Sequence, residues 1–191
     1  MLAEKSIHLI VISALITSLF AYFSFYHFSI LGVLITTFLI LFFRDPKREP
    51  NGEGMLSPAD GRIMKIKDRK VSIFMNLHDI HVNRSPMSGM VKKIEHINGN
   101  FRPAFSKDSD NNERNIIILS TENGDIELVQ IAGSFARRIV CYVKEGDEVK
   151  RGERIGMIRF GSRVDILIPK NYEILIKIGE RVKSGETVIA M

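Results

Sequence analysis

Residues 146–153 read Gly146-Asp147-Glu148-Val149-Lys150-Arg151-Gly152-Glu153, and the pattern returns 33 residues later as Gly179-Glu180-Arg181-Val182-Lys183-Ser184-Gly185-Glu186. In both copies the glycines stand where tight turns between strands demand a positive φ, which glycine adopts without a steric penalty. The repeat therefore predicts two related β-hairpins. It also makes a β-rich fold the first expectation for the surrounding chain.

Seven short runs rich in Ile and Val extend this pattern over the part of the chain that follows residue 45. They cover residues 62–67, 71–76, 115–120, 125–131, 137–143, 164–168 and 173–178. Each run is about four to eight residues long and is bounded by Gly, Pro, Asn or Asp, which is typical of strands. This region is therefore predicted to be mainly β, as a sandwich or barrel-sandwich-like domain with related hairpins.

The N-terminal region differs sharply, because residues 7–43 contain no Asp, Glu, Lys or Arg. One helix of that length would run roughly 55 Å, well beyond a hydrocarbon core of about 30 Å. Tyr and Phe side chains cluster with polar residues at positions 22–29, where a turn at the membrane interface would place them. We therefore expect residues 1–45 to form a transmembrane helical hairpin.

Cations flank this apolar region at Lys5, Arg44, Lys47 and Arg48, whereas its central turn has none. The positive-inside rule then predicts a cell-membrane protein with both ends, and the domain at residues 46–191, on the cytoplasmic side. A cleavable signal peptide fits less well, because the apolar region is too long and no small-residue cleavage site precedes Arg44. A buried helix pair fits less well too, because globular helices carry a charged face.

The composition narrows the classes of function. The formal net charge is +5, but no basic motif interleaved with aromatic residues appears, so nucleic acid is not expected as a partner. Cys141 is the single cysteine and cannot form an internal disulfide, which agrees with a reducing compartment.

A Gly-Ser peptide bond at Gly161-Ser162 is the first candidate for chemistry, because self-cleavage there would convert the serine into a pyruvoyl electrophile. A second Gly-Ser pair, Gly133-Ser134, lies upstream, so the dipeptide alone decides nothing. Polar residues that could assist lie in three further segments: Asp60 in the turn at residues 57–61, His78 and His81 at residues 74–86, and a polar segment at residues 106–115. The composition of this last segment fits a solvated loop equally well.

The two histidines have no acidic or cysteine neighbours at a recognised zinc spacing, so no metal site is predicted. A histidine exchanges protons near neutral pH, and a carboxylate can orient it. His78 and His81 are therefore both candidates for acid/base or hydrogen-bonding roles, whereas Asp60 either orients such a group or only caps its turn.

In order along the chain, these motifs resemble the short, membrane-associated type of phosphatidylserine decarboxylase, including archaetidylserine decarboxylase. The resemblance covers nearly the whole chain. It rests on the apolar hairpin and on Phe43-Arg44-Asp45-Pro46, Ser57-Pro58-Ala59-Asp60-Gly61, Asp79-Ile80-His81-Val82-Asn83-Arg84, Asn112-Glu113-Arg114, Ala136-Arg137-Arg138-Ile139 and Phe160-Gly161-Ser162-Arg163-Val164-Asp165.

The resemblance implies a precursor that cuts itself between Gly161 and Ser162, giving a β chain of residues 1–161 and an α chain of residues 162–191 that begins with the pyruvoyl group. That group would form a Schiff base with a serine-headgroup phospholipid and convert it to the ethanolamine lipid and CO2. An Asp60/His81/Ser162 triad is implied for the cleavage. In the longer branch of the family a second histidine stands where this chain has Arg84, which is why His78 is kept as a substitute.

Arg137 and Arg138 are candidates for binding the lipid phosphate, because a guanidinium offers a bidentate fork, although only one of two successive strand residues faces a given site. His78 is a further candidate for substrate binding. The expected partners are the membrane phospholipid and the two chains of one precursor, and a homo-oligomer is left open.

The repeat also resembles the turns of biotinyl and lipoyl carrier domains, but the Met-Lys-Met triplet of such carriers is missing. This second resemblance implies a related fold. It leaves one alternative function, a membrane-tethered binding or adaptor module without catalysis.

Overall fold

A computed structural model describes residues 1–3, 5–100, 111–133, 138–159 and 162–191. Over these residues the chain is mainly β, with two helices and thirteen strands in three sheets. The chain divides into two compact units, Met1–Lys47 and Arg48–Met191, with the division two residues beyond the predicted boundary. The elements are α1 (Ile7–Tyr22), α2 (Tyr26–Phe42), β1 (Met55–Leu56), β2 (Gly61–Lys67), β3 (Lys70–Met75), β4 (Val82–Arg84), β5 (Gly89–Ile97), β6 (Arg114–Thr121), β7 (Gly124–Ala132), β8 (Ile139–Cys141), β9 (Glu148–Val149), β10 (Arg154–Ile158), β11 (Ser162–Leu167), β12 (Arg181–Val182) and β13 (Val188–Ala190).

The first unit is a helical hairpin whose turn falls inside the predicted polar and aromatic segment, between Tyr22 and Tyr26. The hydroxyls of Ser13 and Thr36 are 2.8 Å apart and link the two helices. Gly32 lets the helices approach closely, because a Cβ at that position would overlap the Thr17 side chain.

Neither helix among the described residues is long and apolar enough to cross a membrane. The turn divides the apolar run into helices of 16 and 17 residues. At about 1.5 Å per residue each helix is roughly 24–26 Å long, short of a hydrocarbon core of about 30 Å. A helical hairpin is therefore present, but the predicted transmembrane spans are not supported.

The eight-stranded sheet of the second unit has the order β12-β2-β3-β11-β7-β6-β5-β9, and its neighbouring strands are antiparallel. The two copies of the sequence repeat supply its two edge strands, β9 and β12. Gly146 and Gly179 precede these strands with the same φ of +89°. In each copy a two-residue strand lies between two turns and pairs with β5 or β2, so the copies are not hairpins as predicted.

The inner face of this sheet carries the core. Val164 and Ile166 of β11 share this face with buried residues of β3 and β7, including Ile73 and Leu128. The three-stranded sheet, of order β4-β10-β8, contacts the same face where Gln130 of β7 donates a hydrogen bond to Asn83 of β4.

Six of the seven predicted strand runs contain strands, namely β2, β3, β6, β7, β8 and β11. The seventh, residues 173–178, is wrong, because it holds only an isolated bridge between Ile174 and Ala190. Leu175 and Ile178 on this segment are 49% and 64% exposed, so their apolar character does not reflect a buried strand.

Candidate active site

Ser162 begins β11, the strand between β3 and β7, where it pairs with Met75 on one side and Ala132 on the other. Its side chain is fully buried, and its Oγ has no hydrogen-bond partner among the described residues. Buried hydroxyls are normally satisfied, and leaving one unpaired costs about 1–3 kcal/mol. An unsatisfied serine at this position is therefore a candidate for a group that reacts. The other half of the predicted scissile bond, Gly161, lies outside the described residues.

His81 lies immediately before β4 and is 1% exposed. Its Nδ1 is 2.9 Å from the carbonyl oxygen of Asp79. Because a carbonyl can only accept, Nδ1 carries the proton in this hydrogen bond and Nε2 is the basic nitrogen. The backbone N–H of Ile158 donates to the carbonyl of His81 at 3.2 Å, so His81 is joined to the strand that leads towards Ser162.

Asp60 lies in the turn before β2 and is 8% exposed. Arg48 Nη2 donates to both of its carboxylate oxygens, at 2.8 and 3.1 Å, and the backbone N–H of Ser184 donates at 2.7 Å. The backbone N–H of Ile80, the residue before His81, also bonds to this carboxylate. Asp60 thus reaches the His81 segment through the backbone, while the imidazole bonds to the Asp79 carbonyl.

Burial raises the pKa of Asp60 above its ordinary value of 3.8 and is the strongest influence on it. The charge of Arg48 and the hydrogen bonds from Ser184 and Ile80 lower the pKa but do not cancel the effect of burial, and the charge of Asp79 raises it further. Loss of solvation disfavours the ionised form of a buried carboxyl, which explains the direction.

Next to His81, Asp79 organises the loop that joins β3 to β4. Its carboxylate accepts from the backbone N–H of Asn76 at 2.8 Å and from Arg181 Nη2 at 2.6 Å. The His78 side chain is 68% exposed, and its Nε2 lies 3.7 Å from the Asp79 carboxylate. Of the two candidate histidines, only His81 is enclosed by the fold.

Of the polar segment at residues 106–115, residues 106–110 lie outside the described residues, whereas Asn112 and Glu113 lie beside Ser162. Asn112 donates a hydrogen bond to the carbonyl of Ala132 at 2.7 Å, and the carbonyl of Glu113 accepts from the N–H of Ala132 at 2.9 Å. Since Ala132 is the ladder partner of Ser162, Asn112 and Glu113 border the site. The sequence of the segment alone had not distinguished this from a solvated loop.

The two candidate phosphate ligands are less informative. Arg137 lies outside the described residues, and Arg138 is exposed just before β8, where its carbonyl accepts from the N–H of Arg159 at 3.3 Å.

Within the described ranges no group of three or more His, Cys, Asp or Glu side chains could hold a metal ion. A surface cavity of about 860 Å³ lies elsewhere, between Gly89 and Lys150, and does not include Ser162 or His81.

Several contacts of the site could not be predicted from sequence. Arg48 falls in a stretch that contains Pro46, Pro50 and Gly52, yet its side chain is 8% exposed and bridges Asp60 and Glu186. Ser184 comes from the second copy of the repeat. No local sequence signal marks either residue, because each reaches Asp60 only through the tertiary fold.

Comparison with known proteins adds an independent line of evidence. Residues 35–190 match the family model described as phosphatidylserine decarboxylase. The chain belongs to the phosphatidylserine decarboxylase family. Ser162, His81 and Asp60 lie within the matched region, whereas α1 lies outside it.

Relatives within this decarboxylase family come from archaea and bacteria. The chain is 51% identical over 166 residues to a "Putative archaetidylserine decarboxylase proenzyme" of Methanosarcina acetivorans, covering 86% of this chain and 80% of the relative. A protein of the same name from Methanosarcina barkeri is 46% identical over 199 residues, covering 100% and 98%. The "Phosphatidylserine decarboxylase proenzyme" of Streptomyces griseus is 51% identical over 156 residues, covering 79% and 73%.

Among solved structures, glucose permease IIA from Mycoplasma capricolum aligns at a TM-score of 0.42 and 15% identity, covering 72% of this chain and 94% of that one. A similarity of this strength does not define the fold.

Proposed function

We propose that this chain is a self-processing, pyruvoyl-dependent decarboxylase that converts a serine-headgroup phospholipid to the ethanolamine lipid and CO2. The supporting observation is the fully buried Ser162, whose Oγ has no hydrogen-bond partner among the described residues. Membership of the phosphatidylserine decarboxylase family supports the same chemistry, and relatives named as proenzymes support processing of a precursor. The non-catalytic adaptor is therefore not favoured.

In the proposed self-cleavage, Ser162 Oγ attacks the carbonyl carbon of Gly161 while Nε2 of His81 accepts the hydroxyl proton. The peptide C–N bond breaks and an ester to Oγ forms in its place. Loss of the Ser162 α-proton then breaks the Cβ–Oγ bond, which releases the Gly161 carboxylate and leaves a dehydroalanine. Hydrolysis of that residue releases ammonia and leaves the pyruvoyl group.

Asp60 has an indirect part in this proposal. Its carboxylate holds the N–H of Ile80 and thereby fixes the backbone that carries His81, while Arg48 offsets its buried charge. The Asp79 carbonyl holds the imidazole in the tautomer that makes Nε2 basic. Both contacts support His81 as the proton acceptor and leave exposed His78 as the weaker candidate.

The surroundings of Ser162 fit a pyruvoyl group. Its ladder partners are Met75 and Ala132, and Val164 follows on the same face, so its neighbours within the sheet are apolar. A pyruvoyl group carries no hydrogen-bond donor and needs no partner to replace the serine hydroxyl. When present, its carbonyl supplies the electron sink for decarboxylation of an amino-acid headgroup, as other carbonyl cofactors do.

We also propose that the protein works at a membrane. The helical hairpin exposes a broad apolar surface that includes Leu15 and Leu34, 65% and 62% exposed. Exposed apolar surface of this extent is characteristic of membrane or protein contacts. Placement of the catalytic unit on the cytoplasmic side, use of Arg137 or Arg138 for the lipid phosphate, and homo-oligomerisation stay predictions.

Two further features belong to this proposal. Contact between the three-stranded sheet and the inner face of the eight-stranded sheet supports a sandwich-like catalytic domain. The substrate is proposed as a serine-headgroup lipid with either ester-linked or ether-linked chains, since relatives of both names match this chain at similar identity.

Lipid turnover tests the function directly. Detergent-solubilised protein is mixed with phosphatidylserine or archaetidylserine labelled at the headgroup carboxyl, and released CO2 is counted. We expect turnover of at least one lipid by the wild type and none by Ser162→Ala. Equal CO2 release by both proteins would refute the assignment of Ser162.

A further inference from the structure

Three buried side-chain amides form a hydrogen-bonded chain across three strands near Ser162. Gln130 Nε2 donates to Asn83 Oδ1 at 2.8 Å, and Asn115 Nδ2 donates to Gln130 Oε1 at 3.0 Å. All three residues are at most 2% exposed. Buried amides need hydrogen-bond partners, so these three amides fix the relative positions of their strands more tightly than apolar packing would.

The chain of amides crosses the strand that begins with Ser162. Asn83 Nδ2 lies 3.8 Å from the sulfur of Met75, the β3 residue that pairs with Ser162. Asn83 Oδ1 bonds to Gln130, the β7 residue that pairs with Val164. Because β3 and β7 flank β11, a side chain that contacts both lies over β11, near its first residues.

Asn83 belongs to the same segment as His81. Residues two apart in an extended chain share a face, so His81 and Asn83 are presented to the large sheet together. Pairing with β10 continues through this segment, with Gly156 opposite Asn83 and the N–H of Ile158 bonded to the His81 carbonyl. A displacement of Asn83 would therefore move His81.

We infer that Asn83 is a positioning residue for self-cleavage: its carboxamide fixes the segment that carries His81 over the start of β11, so that the imidazole is held towards Ser162. This inference rests on the proposed function. Asn83 takes no proton and touches no reacting atom. It acts through His81, and Gln130 is the anchor on the far side of β11.

Asn115 provides a matched control, because it has the same side chain, is equally buried and belongs to the same chain of amides. It lies on β6, however, and is separated from β11 by β7. A purely structural role would make Asn83 and Asn115 equivalent for cleavage. A positioning role would make only Asn83 important.

The test follows self-cleavage of freshly purified full-length precursors by the appearance of the fragment of residues 162–191. A displacement of about 1 Å in a catalytic group can cost about 100-fold in rate, so we expect Asn83→Ala to cleave about 10- to 100-fold more slowly. Asn115→Ala should stay within about threefold of wild type. If Asn83→Ala does not fold, the near-isosteric Gln130→Met removes the far anchor and should slow cleavage about tenfold. Thermal unfolding checks that each precursor is folded.

A spectroscopic readout separates positioning from stability. In Ser162→Ala precursors labelled with ¹⁵N-histidine, we expect His81 to give the signal of the Nδ1-protonated tautomer, and Asn115→Ala to preserve that signal. Asn83→Ala should change it to averaged tautomers. The inference is overturned if Asn115→Ala slows cleavage as much as Asn83→Ala, or if Asn83→Ala leaves both the cleavage rate and the His81 signal unchanged. A wild-type precursor that never yields the fragment would instead refute the proposed function itself.

Discussion

Replacement of Arg48 by methionine is expected to destabilise the catalytic unit strongly. The substitution removes the charge and keeps a long apolar side chain. Arg48 bonds to both oxygens of Asp60 and to Glu186 at 2.9 Å, and its side chain is 8% exposed. Arg48→Met would leave Asp60 as a buried carboxylate without its cation.

The expected loss follows from this burial. Breaking a buried ion pair by removing one partner costs about 3–5 kcal/mol. Glu186, whose side chain is 20% exposed, adds at most about 1 kcal/mol because solvent screens it. For a unit of this size about 1 kcal/mol corresponds to roughly 2–4 °C, so the unfolding midpoint should fall by roughly 6–20 °C at pH 7.5.

The penalty should depend on pH. Burial already raises the folded-state pKa of Asp60 above its ordinary 3.8, and loss of Arg48, which lowers that pKa, would raise it further. A carboxyl with a raised folded-state pKa loses stability as the pH rises from its unfolded-state pKa through its folded-state pKa. The destabilisation by Arg48→Met should therefore be large at pH 7.5 and much smaller near pH 4, where Asp60 is protonated in the folded state and only about half ionised in the unfolded state.

The assay is urea unfolding followed by circular dichroism at pH 7.5 and pH 4, in a Ser162→Ala background that keeps the chain in one piece. Asp60→Asn added to Arg48→Met removes the stranded charge and should restore more than about 1 kcal/mol at pH 7.5. A penalty below about 1 kcal/mol, a penalty equal at both pH values, or no restoration by Asp60→Asn would refute the reasoning.

Two other predictions concern the backbone and the base. Gly61→Ala should destabilise the protein by about 2–4 kcal/mol in the same assay, because Gly61 has a φ of +144° and a Cβ there would overlap the Phe74 carbonyl. The control Gly124→Ala, at a φ of +111° with open space around it, should cost only about 1 kcal/mol. Equal losses of stability would contradict the close approach of Gly61 to Phe74. His81→Ala should slow fragment release by at least about 100-fold, whereas exposed His78→Ala should stay within about threefold, and the reverse order in a cleavage time course would transfer the role to His78.

Much of the β architecture was predictable, because short runs rich in Ile and Val and bounded by Gly, Pro, Asn or Asp are typical of strands. The run at residues 125–131 became β7 with one more residue at each end. Pairing was not predictable from the repeat, because the short strand in each copy pairs with a distant strand and not within its own copy. The apolar run at residues 7–43 predicted a hairpin correctly, but helix length depends on where the turn falls.

The residues of the candidate site were also only partly predictable from the sequence. The Gly-Ser motif and its neighbours predicted Ser162 as the reacting residue, because that chemistry requires a particular residue. Arg48 carries no such local mark, and Asn83 lies in a motif that does not indicate its role, since the importance of both arises from contacts between segments far apart in sequence. The implied triad pairs His81 with the Asp60 carboxylate. In the structure His81 Nδ1 bonds to the backbone carbonyl of Asp79, which no sequence pattern identifies.

The central claim is that Ser162 becomes the N-terminal pyruvoyl group of a separate chain. Intact mass spectrometry of denatured, active protein tests it most directly. The account predicts two chains, residues 1–161 and a 30-residue fragment of residues 162–191 whose N-terminus is blocked and carries the mass of a pyruvoyl group. A single uncut chain in active protein, or a 58-residue fragment beginning at residue 134, would contradict it.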